Sequence, residues 1–416
     1  MRTEDELTDA LRSVAERSPQ ERDLLAALAV RRRRRHQRRT QVLAAGAVVA
    51  VLGVGAVGMR GFFSAGGHAA VSAATPTNMT VTVTTMLPTV VPNVALSPPA
   101  RSKVVDADRL WPGAVFTMPA KNADGWRYRP ITSLSATEVL LSAESSFEKA
   151  GTFEVYDSAT GKSRVVTTVP RTPGLDGYFP QTATTDGQSL AWFAYGEKDG
   201  AAVREIWTVP VAGGEPRLLG TFTGKHAQID AIGVDGDHVY WSELSGGVWS
   251  IPLAGGEAAR VPDSDELHLM KWPYAVDAAD GPKGHDRNQT KLVDLAREAQ
   301  TEINVPASAQ GLRCGPSWCF GRNGQGSFVQ YLDGTNTIAL DGLSDVSILT
   351  RFPILDRFLF AGSTVYDAAT GEVAAIGKGR GMYGVGTSSE PSTIIYWDGE
   401  PGTFTVLNLA AVPPAQ

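Results

Sequence analysis

From about residue 107 onward, apolar residues come in short runs that alternate or continue unbroken between Gly, Asp, Asn and Pro. The period is that of strands and turns, not of helices. One unit reads as four strands over 131–135, 139–143, 153–157 and 164–168. Another reads as four over 229–234, 239–243, 248–253 and 258–261, with Asp235-Gly236 and Gly246-Gly247 as hairpin turns. The units recur. Ile206-Trp207-Thr208-Val209-Pro210-Val211-Ala212-Gly213-Gly214-Glu215 aligns without a gap on Val248-Trp249-Ser250-Ile251-Pro252-Leu253-Ala254-Gly255-Gly256-Glu257, 42 residues later. Val155-Tyr156-Asp157 returns as Val365-Tyr366-Asp367, at five times that offset.

A repeat of about 40–45 residues made of short strands has the length of one β-propeller blade. Tracking it both ways gives seven units. The fifth, around Tyr331-Leu332-Asp333-Gly334, is short, and the seventh ends on its third strand at Phe404-Thr405-Val406-Leu407-Asn408-Leu409. The segment 114–118 (Ala-Val-Phe-Thr-Met) is the candidate for the missing fourth strand. Pairing the two would close the ring and remove both open sheet edges. The expectation is an all-β, seven-bladed propeller over 107–416.

The first 106 residues follow other rules. Val42 to Met59 is an uncharged run of Val, Leu, Ala, Gly and Met, and Arg31 to Arg35, Arg38 and Arg39 stand just before it. At 1.5 Å per residue such a helix reaches roughly 27 Å, close to the hydrocarbon thickness of a bilayer. Arg-rich flanks stay on the cytoplasmic side. We therefore expect a transmembrane helix over 41–63, a cytoplasmic tail over 1–40 and an extracytoplasmic C-terminal domain in the cell membrane. The competing reading is a cleaved signal peptide, with Val71-Ser72-Ala73 as its cleavage site and Arg38-Arg39-Thr40 as a twin-arginine pattern. Forty residues ahead of the apolar run are too many for a signal peptide's charged region, which favours an uncleaved anchor. Thr3-x-x-Glu6 is a capping box and Ser18-Pro19 a second helix start, so the tail reads as short amphipathic helices suited to a cytoplasmic partner. Residues 64–106, rich in Ala, Thr and Pro, read as a linker.

Charge sharpens this division. The chain carries −6 overall, but residues 1–63 hold twelve Arg against seven acids, so the remainder carries −11. A body this acidic disfavours nucleic acid, whose phosphates need a basic surface.

The segment Thr185-Asp186-Gly187-Gln188-Ser189-Leu190-Ala191-Trp192, followed by the Ile206 segment, resembles the repeat of TolB-like, PD40-type (WD40-like) propellers. Val234-Asp235-Gly236-Asp237-His238-Val239-Tyr240-Trp241 looks like a related form. The resemblance covers roughly residues 107–410 and implies fold, since its Gly and Asp are turn residues and its Trp and Tyr packing residues. Relatives of this type act as protein-interaction platforms, sensor ectodomains or occasionally enzymes. The membrane-anchored layout is similar to that of actinobacterial anti-sigma proteins, many of which carry a His-x3-Cys-x2-Cys zinc motif in the tail. This tail has no Cys and only His36.

Candidate chemistry is sparse. Cys314 and Cys319 flank a Gly-Pro turn between short strands, and outside the membrane a disulfide is expected. A redox-active pair is the alternative, although the spacing is not that of thioredoxin. No His pair has zinc-site spacing and no Gly-x-Ser-x-Gly elbow is present. No metal, cofactor or catalytic set is expected. The insertion 280–288, with His285, Asp286 and Arg287, lies between the second and third strands of the fourth unit and is either a candidate site or a solvated loop. The connections between units carry Trp126 and Tyr128, Tyr178 and Phe179, His226, Trp272 and Tyr274, and Met382 and Tyr383. Aromatics around a concave mouth can hold a ligand or peptide; they can equally pack between blades. The expected function is a membrane-anchored module binding an envelope protein, peptide or glycan, with signalling through the tail. A propeller hydrolase or lyase, and a scaffold without a small ligand, are the alternatives.

Overall fold

A computed structural model describes residues 94–100, 104–146, 149–278, 287–343, 351–377, 382–385 and 392–415. The expected tail and transmembrane helix lie outside the described residues. Among the described residues no helix is long and apolar enough to cross a membrane.

Seven four-stranded sheets form a seven-bladed β-propeller. Blade one comprises Arg127–Ser133, Glu138–Ser146, Lys149–Asp157 and Lys162–Thr168; blade two, Asp176–Thr185, Ser189–Lys198, Ala201–Pro210 and Arg217–Thr223. Blade three comprises Ile229–Asp235, His238–Glu243, Val248–Pro252 and Ala259–Arg260; blade four, His268–Lys271, Tyr274–Val276, Lys291–Asp294 and Ala299–Glu302. Blade five comprises Gln310–Cys314, Trp318–Asn323, Gly326–Tyr331 and Ile338–Ala339. The strands expected for the first and third units match to within a few residues.

The last two blades borrow from upstream. In blade seven, Met382–Val385, Ile394–Asp398 and Thr403–Asn408 are completed by Val115–Pro119, antiparallel to the third strand with Met118 opposite Phe404. This is the closure expected from 114–118. In blade six, Phe358–Ala361, Thr364–Asp367 and Val373–Ala375 are joined by Val105–Asp106, which pairs in parallel with the last of them. The Val365-Tyr366-Asp367 motif sits in the middle of these three strands, as Val155-Tyr156-Asp157 sits in the third strand of blade one. The three therefore correspond to the second, third and fourth strands of a repeat; residues 344–350 lie outside the described residues.

Within the linker expected over 64–106, the described residues 94–100 pack on the propeller. Leu96 is buried among Trp318, Leu359, Tyr366 and Val373 of blades five and six. Ser97 N–H donates to Ala368 O and Ala100 N–H to Gly371 O, both at 2.8 Å. The Tyr331 hydroxyl accepts from Leu96 N–H, and the Tyr366 hydroxyl donates to Ser97 O. Residues 94–100 are thus a strap on the propeller rim.

Burial explains the repeat. Trp192 and Trp241, in the second strands of blades two and three, are fully buried. Each is the cross-strand partner of the tryptophan in the echoed segment, Trp207 or Trp249, with stacked rings 6.3 and 6.5 Å apart. What recurs in sequence is one half of an aromatic pair that fills the space between strands.

Two features position the site. Antiparallel pairing puts each blade-to-blade connection, and each turn between second and third strands, on one common face. The hairpins between first and second strands lie on the other. In addition, the pairing of first and second strands shifts register in blades one to five and seven, at Asp230 in blade three. A bulge of this kind re-aims the side chain it carries.

Candidate functional site at the channel end of blades three and four

On the connection face, blades one to three each bury a glutamate that ties down the incoming chain. Glu154 accepts hydrogen bonds from the Tyr128 hydroxyl at 2.6 Å, Asn122 at 3.1 Å and Thr152 at 2.9 Å. Glu205 accepts from Thr172 at 2.7 Å and the Trp207 indole at 3.1 Å. Glu243 meets His226 Nδ1 at 2.6 Å and Ser245 at 3.5 Å. These contacts account for two of the expected mouth residues, Tyr128 and His226. Tyr128 is buried, and burial together with Glu154 pushes its hydroxyl pKa far up. Tyr178 is pushed up likewise, by burial first and then by the charge of Glu205, and its Oη is buried without a hydrogen bond of normal geometry. Both are internal anchors.

His226 is different, because its side chain remains 41% exposed above Glu243. It stands edge-on to Trp249 at 5.4 Å. Around them a cleft of about 350 Å³ is lined by Lys225, His226, Glu243, Ser245, Gly246, Trp249, Arg260, Asp265 and Glu266. The residues come from the connection entering blade three, its second-to-third turn and the connection leaving it. Arg260 is committed to Asp265 at 2.5 Å. The side chains of Lys225 and Glu266 have no polar partner among the described residues. Gly247, at φ +100°, admits the Arg260 guanidinium so closely that a Cβ there would lie 2.6 Å from it.

On the other side of the same strands lies a second polar group, one that sequence reasoning missed. Asp230, on the bulge of the first strand of blade three, accepts from His268 Nδ1 at 3.0 Å and from Arg351 at 3.4 Å. The Ser242 hydroxyl donates to it at 3.5 Å. His268 opens the first strand of blade four, and Arg351 precedes the second strand of blade six. The first strand of blade three contacts those of blades two and four, the arrangement of strands that line the channel, and Arg351 reaches Asp230 from blade six. The Asp230 side chain is 3% exposed and that of His268 9%. As a carboxylate Asp230 only accepts, so the neutral imidazole carries its hydrogen on Nδ1, a tautomer assigned from its partners.

The remaining expected residues scatter. Trp126 packs on Gly151, where a Cβ would overlap its ring. Phe179 lies under Arg129, itself bonded to Glu144 at 2.7 Å. Trp272 and Tyr274 are not on a blade-to-blade connection as expected. Trp272-Pro273 is the turn between the first two strands of blade four, on the opposite face, where Trp272 stacks on Tyr240 at 3.5 Å. Met382 and Tyr383 open the first strand of blade seven; their side chains lie outside the described residues, as do His285 and Asp286. Arg287 is exposed, and its carbonyl accepts from Arg313 at 2.6 Å. Cys314 and Cys319 form the expected disulfide, directly opposite each other across a hairpin, and both are fully buried. Among the described residues no group of three or more His, Cys, Asp or Glu is placed to hold a metal ion.

No protein-family model matches the chain, and no curated protein matches it. Among solved structures, the chain is similar to oligogalacturonate lyase in complex with manganese, at 12% identity and a TM-score of 0.40, over 69% of this chain and 92% of that one. It is also similar to YCF48 bound to D1 peptide, at 10% identity and a TM-score of 0.43, over 76% of this chain and 98% of that one. A mitotic checkpoint complex matches at 10% identity and a TM-score of 0.36, over 71% of this chain and 94% of that one.

Proposed function

We propose that this is a single-pass membrane protein whose propeller, of the TolB-like, PD40 type and actinobacterial in layout, is an extracytoplasmic binding module. Its ligand is an envelope protein, peptide or glycan, and the tail over 1–40 relays occupancy to a cytoplasmic partner. The observation behind the binding reading is the blade-three cleft. It is concave, walled by Trp249 and His226, and combines a cation, Lys225, and an anion, Glu266, whose side chains are unpaired among the described residues. A few convergent polar groups beside an aromatic wall are what an orienting ligand site requires. The anchor reading is supported by the Arg-flanked apolar run at 42–59.

The test is capture of partners and glycans from solubilised membranes by the full chain and by Trp249→Ala and Lys225→Glu variants. The module reading expects ligands that the wild type holds and both variants lose. Recovery unchanged by both variants would refute the cleft. Protease added to intact cells should remove the propeller and spare the tail; a protected propeller would refute the topology.

A hydrolase is the second reading, favoured by the Asp230–His268 pair. The polar contacts of these two residues include no second carboxylate and no nucleophilic side chain on the imidazole. Binding therefore stands ahead of catalysis.

A further inference from the structure

The charges of the blade-three cleft pair off unevenly. Arg260 holds Asp265 at 2.5 Å, and Glu243 holds His226 at 2.6 Å. One cation and one anion are left over, Lys225 and Glu266, both exposed and with no side-chain polar partner among the described residues. The backbone that carries them is fixed. A Cβ on Gly246 would lie 2.6 Å from Glu266 Cα, so only glycine lets the connection leaving blade three close on this turn. Gly247 N–H donates to Leu267 O at 2.9 Å. The buried Ser264 hydroxyl accepts from Val248 N–H at 3.0 Å and donates to Val261 O at 2.7 Å. Asp263 and Glu266, beside these bonds, stand at φ of 52° and 62°, a region that residues with a side chain keep only where the surroundings impose it. Lys225 stands on the 3-10 turn Gly224–Ala227, anchored by the buried Ala227. We propose that this cleft takes a peptide segment with one acidic and one basic side chain, the acid paired with Lys225 and the base with Glu266. This rests on the binding-module reading and selects among its ligands.

Charge complementarity makes the selection. A ligand with two acids brings like charge to Glu266, and one with two bases brings it to Lys225. A neutral saccharide covers both groups and pairs neither, so it loses their hydration without replacing it. A segment with one charge of each sign satisfies both. Leu244 separates peptide from saccharide further. It lies in sequence between the lining residues Glu243 and Ser245, and it is 48% exposed. An exposed leucine beside a cleft suits an aliphatic side chain better than a hydroxyl-covered ring.

The experiment uses the full chain in lipid nanodiscs, titrated calorimetrically with blocked Leu-Lys-Glu-Leu peptides that carry from zero to three alanines between the two charges. Forms with Lys/Lys, Glu/Glu or Gln/Gln at the charged positions, and maltohexaose, are the controls. At least one Lys/Glu peptide should bind about tenfold tighter than its Gln/Gln form, as two exposed ion pairs in the upper part of their range give. Added salt should shrink that margin. Lys225→Glu should move the preference to the Lys/Lys form and Glu266→Lys to the Glu/Glu form. The double reversal should return it to Lys/Glu. Both side chains are exposed, so the reversals should leave the fold intact, which unchanged melting temperatures show. Lys225→Gln and Glu266→Gln, which introduce no charge, should each narrow the margin. No binding by any Lys/Glu peptide, no margin over Gln/Gln in the wild type, or a preference order that the reversals leave unchanged overturns the proposal. Binding that is lost in Trp249→Ala but ignores both charges retires the charge selection and leaves the cleft standing. Binding of maltohexaose alone, lost in Trp249→Ala, does the same.

Discussion

Ser97 donates its backbone N–H to the carbonyl of Ala368 at 2.8 Å, so the chain is bonded to the sixth blade before the first blade begins. Leu96 carries the apolar part of that attachment, at 8% exposure. Leu96→Ala should cost about 2 kcal/mol, the lower end for a buried leucine. Denaturant unfolding followed by tryptophan fluorescence measures it. A loss below a few tenths of a kcal/mol would mean that the strap rests on the rim without contributing.

Tyr128 separates an anchor from a ligand residue. Its hydroxyl is bonded to the buried Glu154 at 2.6 Å. Tyr128→Phe should destabilise the propeller by about 2 kcal/mol, as loss of a hydrogen bond to a charged group does. Ligand capture should be unaltered. Retained stability with lost capture would assign Tyr128 to the mouth after all.

The disulfide is a local staple. Replacing both Cys314 and Cys319 by Ala should cost roughly 2 kcal/mol by the loop-entropy relation for six residues. Both sulfurs are buried, so a thiol alkylator added with a mild reductant should label neither in the folded protein and both after denaturation. Mass spectrometry reads the label, and rapid native labelling would restore the redox alternative.

Asp356 provides a pH test. Burial raises its carboxyl pKa, against the lowering effect of the Ser317 hydrogen bond. A raised folded-state value means the neutral form is favoured on folding, so stability is lost as pH rises from the unfolded pKa through the folded one. Asp356→Asn mimics the neutral form, keeps an acceptor for Ser317 and suits the positive φ of 52°. The variant should melt at a higher temperature than wild type at pH 7, with the gap narrowing in acid. Scanning calorimetry across pH decides, and an equal or lower melting temperature at pH 7 would contradict it.

The strand period made the ring legible, because Trp207 and Trp249 repeat the same packing role in successive blades. The closing strand was legible too, since a third strand without a fourth leaves an open edge. The strap was hidden by Pro98 and Pro99. Prolines lack the N–H, but the bonds to blade six come from Ser97 and Ala100 on either side of them, so the pair is no obstacle to docking. Trp272 was misplaced because the first strand of blade four, His268–Lys271, is too short to display a period. The channel group stayed invisible for another reason. His268 is 38 positions from Asp230 and meets it by the packing of neighbouring blades, while Arg351 is 121 positions away and reaches it from blade six. One local signal was available: Asp230 and His268 are polar residues directly beside the apolar stretches of their strands, Ala231-Ile232 and Leu269-Met270.

The strands Val105–Asp106 and Val115–Pro119 are synthesised before any blade, yet their partners, Val373–Ala375 and Thr403–Asn408, are made only after blades one to five. Assembly therefore cannot finish in the order of synthesis. Blades one to five can form as they emerge, while the two early strands wait for blades six and seven to arrive. A polypeptide cut short before residue 408 keeps an unpaired edge that proteases and other chains can find. Completing the ring is thus a built-in check that blades six and seven have both been made.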